Sequence, residues 1–583
     1  MLKYLLPFIA AFALTPNILA QEYFEKELTF PAGSTPEQKI ELASKVVPDE
    51  RQKAWQDREL TAFLHFGINT FTGREWGDGK ESPALFTPDA LDTDQWVKTL
   101  SDAGFKMVII TAKHHDGFCL WPTATTDHSV ASSPWREGQG DVIAELRKSC
   151  DKYDMKLGIY LSPWDRNASC YGDSPRYNDM FVAQLTELLS NYGKIDEVWF
   201  DGACGEGPNG KRQEYDWLRF RDTMKRLQPD AVLAITGDDV RWVGNESGMG
   251  RETEWSVTPL VPSIYSYSDS VNESLQITPM SKNIGDREII EKADKLYWWP
   301  SEVDVSIRPG WFYSSSQEPH SLRRLADIYL QSIGRNSVLL LNIPPDTSGR
   351  INEKDVKRLQ EFRTWIDDNF SKNLIDSLPA TINTVVLSED INHGQRVEKF
   401  EIQAYVDTVW TPLAHGTTIG KKRILTFNPV KTDSLRLRID SWRGDRYYAT
   451  IDGAYRITMP GDKKIIERAY PEIEGVKSTL KKSTLTLKAD SVIPITGFVY
   501  TPSDDKTTPL VYRYKVEASN SGRSWRPVKT TGEFGNIEAN PIEQTVIFEK
   551  VIKARYIRIE CTESINGKIT PTAFKITLLG PKQ

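Results

Sequence analysis

From Thr61 onward the chain alternates short, dense apolar runs with longer stretches whose apolar residues recur every three or four positions. The first kind predicts strands buried on both faces, and the second predicts amphipathic helices. Strands are expected at 62–66, 107–111, 156–161, 195–201, 231–236, 303–308 and 338–343. Helices are expected at 92–103, 141–153, 178–192, 214–227 and 321–333, the first with Trp96, Val97 and Leu100 on one side. Repeated βα units imply a parallel sheet, and their extent fits an α/β chain with a (β/α)8-type barrel over residues 21–375. An open doubly wound sheet is the competing arrangement, but no G-x-G-x-x-G or phosphate loop follows any strand.

After about Asp376 the rhythm changes. Short, turn-bounded runs at 384–387, 400–404, 434–439, 511–517, 545–548 and 556–560 follow one another with little helical periodicity between them. They predict two β-sandwich domains, 376–460 and 461–583, divided at the turn signal Met459-Pro460-Gly461-Asp462. The second is expected to be galactose-binding-like.

Composition changes this picture in three places. Lys3, the apolar run from Leu5 to Leu14 and Ile18-Leu19-Ala20 before Gln21 predict a signal peptide over residues 1–20, hence export to a periplasm or the medium. No later run approaches the ~20 apolar residues of a membrane span, so no membrane insertion is expected. A net charge of −7 without a long basic run argues against nucleic acid as a partner. Five cysteines, odd in number and without C-x-x-C spacing, do not make a disulfide framework.

Candidate chemistry gathers where expected strands end. In Val198-Trp199-Phe200-Asp201-Gly202 an apolar run stops at a carboxylate, a position acids avoid unless something stabilises them or chemistry needs them. His65 ends Phe63-Leu64-His65, His114 and His115 follow the run 108–113, and Tyr160 lies in Gly158-Ile159-Tyr160-Leu161. Adjacent strand residues point to opposite faces, so His114 and His115 make a poor chelate, and no H-x-x-x-H occurs. No metal and no cofactor are expected. Imidazoles with Trp and Tyr suit sugar hydroxyls and the apolar face of a sugar ring, although most of the 17 Trp and 22 Tyr are expected in cores.

Five segments in order carry a specific resemblance: Leu64-His65-Phe66-Gly67, Lys113-His114-His115-Asp116-Gly117-Phe118, Ser162-Pro163-Trp164-Asp165, Val198-Trp199-Phe200-Asp201-Gly202 and Arg308-Pro309-Gly310-Trp311-Phe312-Tyr313. Together they resemble glycoside hydrolase family 29, the retaining α-L-fucosidases. The resemblance implies Asp201 as nucleophile and a fucose pocket lined by His65, His114, His115, Tyr160, Trp199 and Trp311, with Glu75 and Trp76 contributing. A retaining enzyme needs a second carboxyl, for which Asp238, Asp239, Glu246, Glu252 and Glu254 are candidates. The run 240–248 resembles the acid/base segment of the subfamily acting on α-1,3- and α-1,4-linked branches, which singles out Glu246 and keeps Glu254 in reserve. Arg251 is a candidate for orienting a carboxylate or a sugar hydroxyl.

The expected activity is therefore exo-hydrolysis of α-1,3/α-1,4-linked fucose from Lewis-type oligosaccharides by double displacement. A broad or α-1,2-active fucosidase is the alternative, and an inactive fucose-binding protein a more distant one. Trp442, Tyr447, Tyr448 and Trp525 are candidate sugar platforms on the sandwiches, with core or interdomain packing as the competing role.

Overall fold

Alternation along the buried runs decides the architecture. Val108 and Ile110 pack outward with the helices, whereas Ile109 between them packs inward; Val198 and Phe200 likewise flank an inward Trp199. A strand apolar on both faces must be covered on both, which a barrel ringed by helices accomplishes.

The computed structural model describes residues 23–461, 470–503, 508–534, 537, 538, 541 and 543–581. The expected leader at 1–20 and Asp462 of the interdomain turn lie outside them. Eight strands form the barrel: β1 Leu60–Leu64, β2 Met107–Lys113, β3 Lys156–Leu161, β4 Glu197–Phe200, β5 Val232–Ile235, β6 Arg241–Trp242, β7 Ser301–Ser306 and β8 Ser337–Asn342. All pairings are parallel, in the order β5-β4-β3-β2-β1-β8-β7-β6. The barrel is nearly closed. Its two edges are β5 and β6, bridged by Val240 N–H donating to the Leu233 carbonyl at 3.2 Å.

The helices start where short polar side chains can cap them. Asp92, Asp141, Asp216 and Ser321 accept from the N3 backbone N–H of α1 Thr93–Asp102, α2 Val142–Lys152, α4 Trp217–Leu227 and α5 Leu322–Gln331. Each such cap stabilises by about 1 kcal/mol. Between α2 and α4, α3 spans Ser174–Asn191. The last helix of this layer, α6 Glu353–Phe370, closes the barrel domain.

The chain departs from a plain barrel between β6 and β7. This excursion forms a small antiparallel sheet, in which Lys295–Trp298 pairs with Val257–Thr258 and with Glu27–Thr29 of the N-terminal segment. Val257, Leu260, Ile284, Leu296 and Trp298 give it a core of its own.

The expected shift to antiparallel structure is present. One sandwich pairs the sheet Arg423–Thr432, Ala380–Glu389, Ala449–Tyr455 with the sheet Val409–Gly416, Val397–Val406, Leu435–Trp442, over Val385, Leu387, Phe400 and Ile402. Its Val386 and Ile424 join the barrel's outer core, so the two domains share apolar packing. The second C-terminal unit is a six-stranded antiparallel sheet. Its longest strands, Thr484–Thr501 and Gln544–Ile565, change register twice, which lets them bend around Phe498, Tyr514, Phe534 and Ile557.

Candidate active site

The polar residues at strand ends converge on one face of the barrel, above an interior of Phe63, Tyr160, Trp199 and Leu340. Asp201 is the first residue past β4. Its Oδ1 accepts from the Ala203 N–H at 2.7 Å and its Oδ2 from the Tyr160 hydroxyl at 3.2 Å, with His115 Nε2 4.0 Å away. The side chain keeps 28% exposure, so the carboxylate is anchored yet reachable.

The histidines are oriented by their neighbours. The Asn342 amide donates to the Trp311 carbonyl at 2.8 Å, which turns Oδ1 toward His65, where it accepts from Nδ1 at 2.9 Å. His65 is thereby the Nδ1–H tautomer, its Nε2 lone pair available to a hydroxyl. Ser162 does the same for His115: its hydroxyl donates to the Trp164 carbonyl and accepts from His115 Nδ1, both at 2.7 Å. His114 stacks on Tyr160 at 5.8 Å, with Nδ1 buried and without a partner among the described residues. Burial pushes His65 down to about 3 and His114 well below the usual imidazole range. All three rings lie low enough to be neutral near pH 7, as hydrogen-bonding partners for a sugar should be.

Trp311 joins two carboxyls. Its backbone N–H donates to Glu75 Oε2 at 2.8 Å and its indole N–H to Glu246 Oε2 at 2.9 Å, while its ring lies 4.9 Å from that of His65. Burial pushes Glu75 up to about 7, against the pull of the Trp311 and Phe312 N–H groups. The Arg308-Pro309-Gly310-Trp311 run now has a local explanation. A Cβ at Gly310 would collide with Glu75 Oε1, and Arg308 is tied down by Asp355 at 2.8 Å. Trp76 meets His115 and Trp164 edge-on, each at 5.5 Å. In the His114-His115-Asp116-Gly117 run, Gly117 has φ +84° and no room for a Cβ beside Asp165. Asp165 in turn holds the fully buried Lys113 at 3.0 Å.

Of the eleven candidate residues, ten belong to this assembly and one does not. Trp199 forms the floor rather than the wall, its indole N–H donating to Glu302 Oε2 at 2.9 Å and its ring stacked on Tyr160 at 5.2 Å. Arg251 faces elsewhere. Its guanidinium is consumed by the Ser281 carbonyl at 2.7 Å, the Pro279 carbonyl and Glu254 Oε2 at 3.3 Å. Glu254, the reserve acid, is sealed with it. Burial alone would raise its pKa, but ion pairs to Arg241 and Arg251 hold it below the ordinary range.

Residues that sequence reasoning missed act mostly as orienters. Asn342 carries a signal that was there to be used: a polar side chain near the end of the apolar run Val338-Leu339-Leu340-Leu341-Asn342-Ile343. Asp304, two residues past Glu302 on β7, accepts from the Trp242 indole at 2.9 Å, and burial pushes it up to about 7. Among the described residues, no group of three or more His, Cys, Asp or Glu side chains is arranged to hold a metal ion. None of their helices is long and apolar enough to cross a membrane.

Comparison with known proteins gives the family. The α-L-fucosidase family model matches residues 80–370, and the F5/8 type C domain model matches 474–573. The chain is 40% identical over 447 residues to putative α-L-fucosidase 1 of Oryza sativa subsp. japonica, spanning 68% of this chain and 83% of that one. It is similarly 39% identical to α-L-fucosidase 1 of Arabidopsis thaliana, over 68% of this chain and 85% of that one. A crystal structure of a putative α-L-fucosidase from Bacteroides ovatus superposes with a TM-score of 0.75 at 51% identity, covering 96% of this chain and all of that one. A Ruminococcus gnavus family 29 fucosidase in complex with fucose gives a TM-score of 0.62 at 29% identity, covering 73% of this chain and 97% of that one. The chain belongs to the α-L-fucosidases of glycoside hydrolase family 29.

Proposed function

We propose that the protein is a retaining exo-α-L-fucosidase in which Asp201 is the nucleophile and Glu246 the acid/base. The observation that carries this reading is the presence of two carboxyls with opposite anchoring in one aromatic pocket. Asp201 is held by Tyr160 and Ala203, and Glu246 receives the indole of Trp311, whose ring lies 4.9 Å from that of His65.

In the first step Asp201 attacks the anomeric carbon and Glu246 delivers its proton to the departing glycosidic oxygen, leaving a fucosyl ester. In the second, Glu246 takes a proton from water, the hydroxide adds to the anomeric carbon and Asp201 leaves. His65, His114, His115, Glu75 and Trp76 hold the sugar, and Trp311 covers its apolar side while fixing Glu246.

The preferred substrates in this reading are α-1,3/α-1,4-fucosylated Lewis-type oligosaccharides, supported by the resemblance of residues 240–248 to the branch-cleaving subfamily. Contacts to the neighbouring galactose orient the scissile bond, so turnover as well as affinity depends on it. Lewis a and Lewis x trisaccharides are then cleaved with much higher kcat/KM than 2′-fucosyllactose. Equal efficiency on both linkages would sink the linkage claim, and release of β-fucose as the first product anomer, seen by NMR, would sink retention. Residues 1–20 act as an export leader in this reading, which a mature N-terminus at Gln21 would support.

A further inference from the structure

Two glutamates meet inside the barrel beneath the pocket. Glu197 on β4 and Glu302 on β7 are 0% and 1% exposed, and each accepts an indole N–H on one oxygen: Trp55 on Glu197 Oε2 at 2.7 Å, Trp199 on Glu302 Oε2 at 2.9 Å. The other oxygens, Glu197 Oε1 and Glu302 Oε1, are buried without a donor among the described residues, and Trp199, two positions along β4 from Glu197, reaches across the interior to Glu302.

Two ionised carboxylates cannot share such a site without a cation, because desolvation and mutual repulsion add. Arg58 pulls Glu197 downward but gives its Nη2 to Asp196 at 3.1 Å, and burial outweighs it. One proton between the two orphan oxygens satisfies both, with one acting as donor and the other as acceptor.

We infer that Glu197 and Glu302 share a single proton and serve as a positioning dyad for the nucleophile. Neither touches the substrate. Their effect runs through Trp199, whose indole is fixed by Glu302, to Tyr160 stacked on it at 5.2 Å, and from the Tyr160 hydroxyl to Asp201 at 3.2 Å. The titratable and charged groups around the dyad are Arg58 and Asp196 on the Glu197 side and Asp304, with its Trp242 donor, on the Glu302 side. Burial pushes Glu197 up to about 7 and Glu302 well above the carboxylate range. A raised folded-state value means that the dyad's contribution is present at low pH and is lost as pH rises through 7 and above.

The positioning half rests on Asp201 being the nucleophile; the shared proton does not. The test compares E302Q with E302L. Glutamine keeps an acceptor for Trp199 and offers an N–H to Glu197 Oε1, whereas leucine removes both. E302L is expected to lower kcat about 10- to 100-fold with KM little changed, and E302Q to recover most of that loss. Infrared difference spectra of wild type against E302Q at neutral pH should lose a protonated-carboxyl band. The wild-type melting temperature should also fall more steeply than that of E302Q between about pH 6 and pH 9. No lost band, or parallel melting curves, would overturn the shared proton even if E302L does not fold. Equal kcat in E302Q and E302L would overturn the positioning role. An Asp201→Gly variant that stays active would instead overturn the nucleophile assignment while the infrared band persists.

Discussion

Glu246 and Glu254 lie eight positions apart in one connection, yet one meets Trp311 at the strand-end pocket and the other faces the seam between barrel and first sandwich. Glu246 meets a neutral indole N–H from Trp311. Glu254 is buried against two guanidiniums, and its backbone is bonded by Thr418 and Gln395 of the sandwich. A carboxyl beside an indole can pick up and release a proton; one locked between two arginines holds its charge. The partner, more than the residue type, separates a candidate acid from a structural anion.

The largest expected effect is at Asp201. Asp201→Gly should lower kcat by roughly three orders of magnitude or more while leaving the melting temperature near wild type, with azide restoring part of the rate. Activity within tenfold of wild type would remove it from the mechanism.

The two glutamates come next, and they should fail differently. Glu246→Ala should slow natural glycans far more than an aryl fucoside with an acidic phenol, since a good leaving group needs little protonation. Glu254→Ala should cost about 3–5 kcal/mol of stability by stranding buried arginines, without leaving-group dependence. A Brønsted plot for each variant decides the matter, and steepening in Glu254→Ala alone would reverse the assignment.

Trp311→Phe should keep the aromatic face and lose the donor to Glu246, lowering kcat by about tenfold. Unchanged kcat would mean that the indole does not matter to the acid. The smallest kinetic effect is expected at Arg251. Arg251→Ala should lower the melting temperature and leave KM for an aryl fucoside within about twofold, because its hydrogen bonds go to Ser281, Pro279 and Glu254. A large rise in KM would restore it to the pocket.

The barrel was legible because its strands are local statements. Each run buries both faces within a few residues, and the helix caps Asp92, Asp141 and Ser321 sit next to the patterns they start. β6 escaped because two residues, Arg241 and Trp242, have no periodicity to detect. The strand exists because β7 offers its edge to them.

In the site the division is similar. Asp201 stood out as an acid ending an apolar run, and Asn342 answers to the same rule. Trp199 was legible as belonging to the site but not as its floor, since its indole partner Glu302 lies 103 positions away. Arg251 resembled a sugar ligand because nothing near it in the chain shows where Pro279 and Ser281 will present their carbonyls.

By itself, then, the order of residues determined which segments become strands and helices and which polar side chains stand at the strand ends, because burial periodicity and end position are properties of neighbours in the chain. Only the tertiary structure decided the charge and hydrogen-bond partner of each carboxyl, because desolvation and Coulomb interactions depend on distance in space. For Glu197, Glu246 and Glu302 the deciding groups come from other segments of the chain.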